Sequence, residues 1–245
     1  MGYTHAPPGS RLFLDFTRDQ FCGKVLDRSG MCGEPAVLGG VPPIWKPDGL
    51  QFASSNCVLK NNSNIDIVSA SQLRPVIWWF DMQLIEPRVN GWFFRKAFEP
   101  NSIASQYGFY MADSSYIQVS VNGASANLDI TSNVYSKKER FFLSVFWDGE
   151  KIYGYINGKL LAQNTLVTTI PSGGYLCVGS RDPDSSSYFD GNIFQCGITV
   201  GASIAELHEW YRKWHKTGNL HTSVVAMQSE TLPDSALDST IMLKR

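Results

Sequence analysis

RFFLSVFWDGEKIYGYINGKLLA, residues 140–162, decides the architecture of this chain. It reads as strand, tight turn, strand, tight turn, strand. Asp148-Gly149 and Asn157-Gly158 are the turn dipeptides. Both favour a type I′ turn, which needs positive φ at its two central residues and matches the twist of paired strands. Between the turns Ile152, Gly154 and Ile156 alternate with Tyr153 and Tyr155. A period of two gives an apolar face and an aromatic-polar face. The stretch predicts a β-sandwich and sets a register for the rest of the chain.

Working outward, residues 76–85 form the clearest long strand. Val76, Trp78, Phe80, Met82 and Leu84 make a core face, and Ile77, Trp79, Asp81, Gln83 and Ile85 an outer one. Leu12, Leu14 and Phe16 alternate with Arg11, Phe13 and Asp15 as a first strand. Short strands are expected at 50–52, 57–60, 92–96, 107–111, 116–121, 128–131, 174–180 and 189–200. Gly39-Gly40, Pro42-Pro43 and Pro47 mark irregular chain. Many short strands with turn signals between them indicate a sandwich rather than βαβ units. The exception is 203–216, SIAELHEWYRKWHK. Ser203 and Glu206 have capping-box spacing, Gly218 closes the segment, and Ile204, Leu207, Tyr211 and Trp214 form one stripe.

The chain has 245 residues, 43% of them hydrophobic and 13% aromatic, enough for one sizeable core. A net charge of −1 supplies no basic field for a phosphate backbone, so nucleic acid is not an expected partner. The N-terminal residues lack a basic segment followed by an apolar one, and Ala6 stands where a myristoylation signal needs Ser or Thr. No apolar run reaches the ~18 residues of a membrane span. These features predict a chain made in a cytoplasm without a membrane anchor. The five cysteines, Cys22, Cys32, Cys57, Cys177 and Cys196, form no C-x-x-C pair and are expected to be reduced. A Cys22–Cys32 bridge is the alternative in an oxidising medium.

LFLDF with DRSG, then GLQF, VIWWFDMQL, the stretch FFLSVFWDGEKIYGYINGKLLA, YLCVGS, YFDGNIFQCGI and SIAELHEWY follow one another in order. Together they resemble the concanavalin A-like lectin/glucanase fold in its laminin G-like form, over roughly residues 11–218. The resemblance implies an all-β, two-sheet antiparallel β-sandwich of jelly-roll type with one short C-terminal helix. Residues 1–10 are then an N-terminal arm and 219–245 a C-terminal extension or arm. The family hosts lectins, glycosidases, adhesion modules and viral structural proteins, so fold alone does not give function.

The glycosidases of that family carry an E-x-D-x-E or E-x-D-x-x-E strand, and retention needs two carboxyls about 5–5.5 Å apart. No such run occurs, Asp81 stands alone on its strand, and no enzyme is expected. No cofactor is expected either, with one exception carried by the resemblance. Asp182, Asp184 and Asp190 in RDPDSSSYFDGN sit where some relatives hold calcium. The same Asp, Ser and Gly residues equally build turns. The better candidate site is aromatic: Trp79, Phe142, Phe146, Tyr153 and Tyr155 point away from the inter-sheet core. They either stack on sugar rings or anchor a partner, or they lie beneath a loop or the C-terminal helix.

Two function classes follow. The first is a virion structural or assembly protein of a tailed bacteriophage: a decoration, head-fibre, collar or tail component. It would be assembled in the host cytoplasm and partnered by other virion proteins or by itself as a homo-oligomer. Its basis is a standalone sandwich with no export signal, no catalytic set and terminal arms suited to lattice contacts. The second is a carbohydrate-binding lectin reading host-surface or other glycans. A cellular adhesion module is a third reading, disfavoured by the absent signal.

Overall fold

The computed structural model describes residues 6–19, 25–29, 37–39, 43–53, 57–61, 75–85, 90–97, 105–112, 116–129, 139–168, 170, 174–181 and 187–215. In chain order its strands are β1 (Ser10–Asp15), β2 (Val37–Gly39), β3 (Ile44–Lys46), β4 (Gly49–Phe52), β5 (Cys57–Asn61), β6 (Val76–Leu84), β7 (Gly91–Ala97) and β8 (Ser105–Met111). There follow β9 (Tyr116–Val121), β10 (Ala124–Asp129), β11 (Arg140–Trp147), β12 (Lys151–Ile156), β13 (Lys159–Thr165), β14 (Tyr175–Val178) and β15 (Gly191–Val200). Two helices are present among the described residues, α1 (Phe16–Asp19) after β1 and α2 (Ile204–His215) after β15.

The strands form two antiparallel sheets. The first runs β13-β12-β11-β6-β15-β4-β3, with β1 also paired to β15, and the second runs β10-β9-β8-β7-β14-β5-β2. The core lies between them. Val76, Trp78, Phe80, Met82 and Leu84 of β6 all point into it, as their alternation predicts. Trp78 meets Tyr107 and Phe109 of the opposite sheet at 5.5 and 5.3 Å between ring centroids. Ile152 and Ile156 also face inward, and a side chain at Gly154 would crowd Leu128. The fold is therefore the expected all-β two-sheet sandwich.

The turns follow local chemistry, with one correction. Asn157 and Gly158 have φ of 51° and 84°, the type I′ requirement. Asp148-Gly149 is not the centre of its turn. The Asp148 N–H donates to the Lys151 carbonyl at 3.2 Å, and the Asp148 carboxylate accepts from the N–H groups of Glu150 and Lys151 at 2.8 and 2.6 Å. Gly149-Glu150 is thus the central pair, and Gly149 alone has positive φ, 106°, which suits a II′ turn. A third hairpin turn, beyond the two expected, is Asn122-Gly123, φ 45° and 81°, which joins β9 to β10. The strand expected at 128–131 accordingly starts earlier, at Ala124. The short strands β2 and β3 fall in chain expected to be irregular.

Each helix begins on a side-chain cap. At α1 the Asp15 carboxylate accepts from the Thr17 N–H and hydroxyl at 3.2 and 2.6 Å, and pairs with Arg18 at 3.2 Å. This ends the expected first strand one residue early, before Phe16. At α2 Ser203 and Glu206 form the predicted capping box: the Ser203 N–H donates to Glu206 Oε2 at 2.9 Å, and the Glu206 N–H to Ser203 Oγ at 3.2 Å. Cys177 and Cys196 are buried, and burial pushes the Cys196 thiol well above its usual range. Cys22, Cys32, Gly218 and the extension 219–245 lie outside the described residues. Among the described residues, no helix is long and apolar enough to cross a membrane.

Candidate functional site

The outer face of the first sheet is closed. Trp79, Phe142, Phe146, Tyr153 and Tyr155 do point away from the inter-sheet core, but none is more than 7% exposed. α2 lies across them with Ile204, Leu207, Trp210 and Tyr211 buried against the sheet. Phe142 stacks on Tyr211 at 3.8 Å and 18°, while Trp79 and Phe13 meet Trp210 at 5.3 and 5.7 Å. The expectation of an open aromatic binding face is therefore corrected. Its alternative describes the molecule, because the apolar stripe of α2 and this face bury one another.

Two polar contacts pin the helix within this aromatic layer. Ser144 Oγ and His208 Nε2 are 2.8 Å apart and buried, between the edges of Tyr155 and Phe142. Burial, aided by the charge of Arg212, pushes the His208 imidazole down to about 4, so it is neutral at pH 7. The second contact centres on Asp81, fully buried on β6. Arg140 grips it with two hydrogen bonds, Nε to Oδ1 at 2.7 Å and a terminal nitrogen to Oδ2 at 2.5 Å. The guanidinium also lies 3.9 Å from the Phe194 ring centroid. Burial holds the Asp81 carboxyl above the usual carboxylate range even against Arg140. The Tyr211 hydroxyl faces the same carboxylate, and burial raises it too. Asp81 and Asp15 share a row through Gln195, and both are buried. Neither offers a carboxyl to a substrate.

Of the three aspartates read as a calcium rim, Asp182 and Asp184 lie outside the described residues. Asp190 is half-buried, and its carbonyl accepts from the Ile85 N–H at 3.1 Å. Among the described residues no three His, Cys, Asp or Glu side chains gather as a metal site.

The accessible aromatic pair lies on the other sheet. Trp92 of β7 and Tyr110 of β8 are direct cross-strand partners. Their rings stack at 4.4 Å and 17°, and both are half-exposed. Gly108 makes room for the Trp92 ring, because any side chain there would overlap Trp92 Cζ3. The Arg95 guanidinium approaches the same ring at 5.8 Å and is itself fixed by the Arg181 carbonyl at 3.0 Å. Beside the pair β9 presents Gln118 and Ser120, and β10 exposes Ser125 and Asn127. A flat aromatic surface bordered by amides and hydroxyls suits a ligand with an apolar ring face and peripheral hydroxyl groups. The sequence signal for Trp92 was present but misleading. A bulge between Trp92 and Phe94 sends Phe93 and Phe94 both into the core, so strict alternation misassigns the faces.

No family model matches the chain, and no curated protein matches it in sequence. Solved structures do match in shape. The binding domain of botulinum neurotoxin DC in complex with rat synaptotagmin II superposes with a TM-score of 0.55 at 16% identity, covering 78% of this chain and 48% of that one. Trypanosoma rangeli sialidase gives 0.57 at 11% identity, covering 82% and 32%. The same neurotoxin binding domain in complex with SialylT gives 0.52 at 15% identity, covering 78% and 47%. The chain thus spans about a third to a half of the length of these proteins. At such identities the likeness shows the fold alone: a two-sheet β-sandwich.

Proposed function

We propose that this chain is a non-enzymatic carbohydrate-binding module of the laminin G-like kind, taking a glycan on the outer face of its second sheet. The stacked, half-exposed Trp92–Tyr110 pair, seated over Gly108, carries the reading. A pyranose presents a C–H face to an aromatic ring, and Gln118, Ser120, Ser125 and Asn127 would meet its hydroxyls. The shape likeness to a neurotoxin binding domain solved with SialylT supports the class of ligand. The virion-assembly reading leaned on terminal arms, and residues 216–245 lie outside the described ones. No described residue favours it over the glycan reading.

A glycan array followed by titration calorimetry tests this. Trp92→Ala and Tyr110→Ala are each expected to weaken the best glycan about 30-fold, equivalent to about 2 kcal/mol for a central aromatic contact. Val167→Ala, at a residue 70% exposed on the other sheet's margin, is expected to leave affinity unchanged. Full affinity in both aromatic variants would refute the site. A chain that binds no glycan but assembles with virion components would restore the structural reading.

A further inference from the structure

α2 covers an aromatic face through contacts that acid can weaken. His208 lies at the centre of that cover. Its hydrogen bond to Ser144 is buried, and the rings of Phe142 and Tyr155 stand edge-on to it at 6.0 and 5.6 Å. From β11 it is faced by Ser144 and Phe142, from β12 by Tyr155, and from the β12–β13 turn by Gly158. The charge that bears on His208 is that of Arg212, one turn along its own helix, and it opposes a second positive charge. Among the described residues, an imidazolium formed here has no carboxylate to meet.

The covered face also carries polarity that the helix does not use. Trp79 Nε1, Gln195 Oε1 and Thr199 Oγ1 are buried there with no hydrogen-bond partner among the described residues. A buried polar group left without a partner destabilises the closed state relative to a satisfied one. Water or a ligand would satisfy all three once the helix lifted. The connection from β15 to α2 is short and passes through Gly201, at φ 76°.

We propose that α2 is an acid-released cover, and that protonation of His208 shifts it from closed to open, baring the aromatic face of the first sheet. The sign follows from where the proton binds more tightly. The closed state holds His208 neutral down to about 4, whereas an open helix returns it to 6.5. Acid therefore favours the open state throughout the interval between those values. Between pH 7 and pH 5 the open-to-closed ratio rises about 20-fold. Asp81 works in the opposite sense, since its buried carboxyl takes up a proton more readily when closed. A comparison between variants that keep Asp81 removes its contribution.

The test is hydrogen exchange of the α2 amides of the full chain at pH 7 and pH 5, corrected for intrinsic rates, read against the same amides of His208→Gln, with β6 amides required to stay more protected than α2 at both pH values so that opening is local. In the natural chain α2 protection is expected to fall about 20-fold, the His208 effect before Asp81's opposing share. In His208→Gln, which keeps a hydrogen-bonding group toward Ser144, it is expected to stay level. An equal fall in both chains, or no fall in the natural one, overturns the proposal. If His208→Gln does not fold, NMR titration of the His208 ring decides. A ring titrating far below 6.5, with α2 exchange tracking acid addition, supports the cover. A ring titrating near 6.5 while α2 stays protected overturns it.

Discussion

Replacing Arg140 by methionine removes the cation from Asp81 while keeping an aliphatic stem against Phe194. Asp81 is fully buried, so its charge cannot reach water in the closed sheet. Removing one partner of a buried ion pair ordinarily costs about 3–5 kcal/mol. Here the loss has a ceiling, because the orphaned carboxyl can take up a proton instead. From its ordinary value of 3.8 that ceiling is about 4.4 kcal/mol at pH 7 and about 1.6 kcal/mol at pH 5. The lost hydrogen bonds add about 1 kcal/mol at either pH. The direction is that of a raised carboxyl: destabilisation is present above the folded-state value and fades as pH falls through it. Urea unfolding of the natural chain and Arg140→Met should therefore differ by about 4–5 kcal/mol at pH 7 and about 2–3 kcal/mol at pH 5. Taking the difference at each pH cancels the His208 contribution shared by both chains. The double variant Asp81→Asn/Arg140→Met should recover most of the pH 7 loss. A loss below 1 kcal/mol, or one equal at both pH values, would refute the view that Asp81 holds a buried charge for which Arg140 is the counterion.

Two further changes probe local geometry. Gly179→Ala places a methyl group into the Phe52 ring at a residue of φ 95°, so it should cost more than about 2 kcal/mol in chemical denaturation. Ser203→Ala breaks the capping box of α2 and should cost about 1 kcal/mol, with the loss in hydrogen exchange concentrated in that helix.

The parts of the fold that could be read were those whose residues meet simple periodic constraints. Alternation from Val76 to Leu84 placed five side chains correctly in the core, because a central strand without a bulge over those positions keeps strict parity. The Ser203–Glu206 spacing located the start of α2, since a capping box is a purely local device. Asp148-Gly149 misled by one residue, because the aspartate side chain replaced its own carbonyl as acceptor and shifted the turn. Asn122-Gly123 carries the same signal as Asn157-Gly158, and its φ values of 45° and 81° follow from the same chemistry. The candidate site divided in the same way. The aromatic set from Trp79 to Tyr155 was read correctly as facing outward, but periodicity names a face without saying what lies on it. Only the tertiary placement of α2 shows that face to be closed. The Trp92–Tyr110 pair is not legible in the sequence, because the neighbouring bulge breaks the alternation on which a strand reading depends.

The pairing of β1 with β15 bears on how the molecule comes into being. Ser10 lies opposite Thr199 and Asp15 opposite Gln195, so the first strand completes its ladder on the last. β15 is also the partner of β6, in the middle of the first sheet. A nascent chain can close the β11–β12–β13 meander early, since those contacts are local. The centre of the sheet must wait until about residue 200 has left the ribosome. Contacts of such long sequence separation slow the search for the native state. Until β15 arrives, β1 and β6 each present an unpaired edge. The interval of greatest exposure to aggregation therefore lasts until β15 has emerged, and a chain truncated before β15 loses the keystone of the sheet rather than its margin.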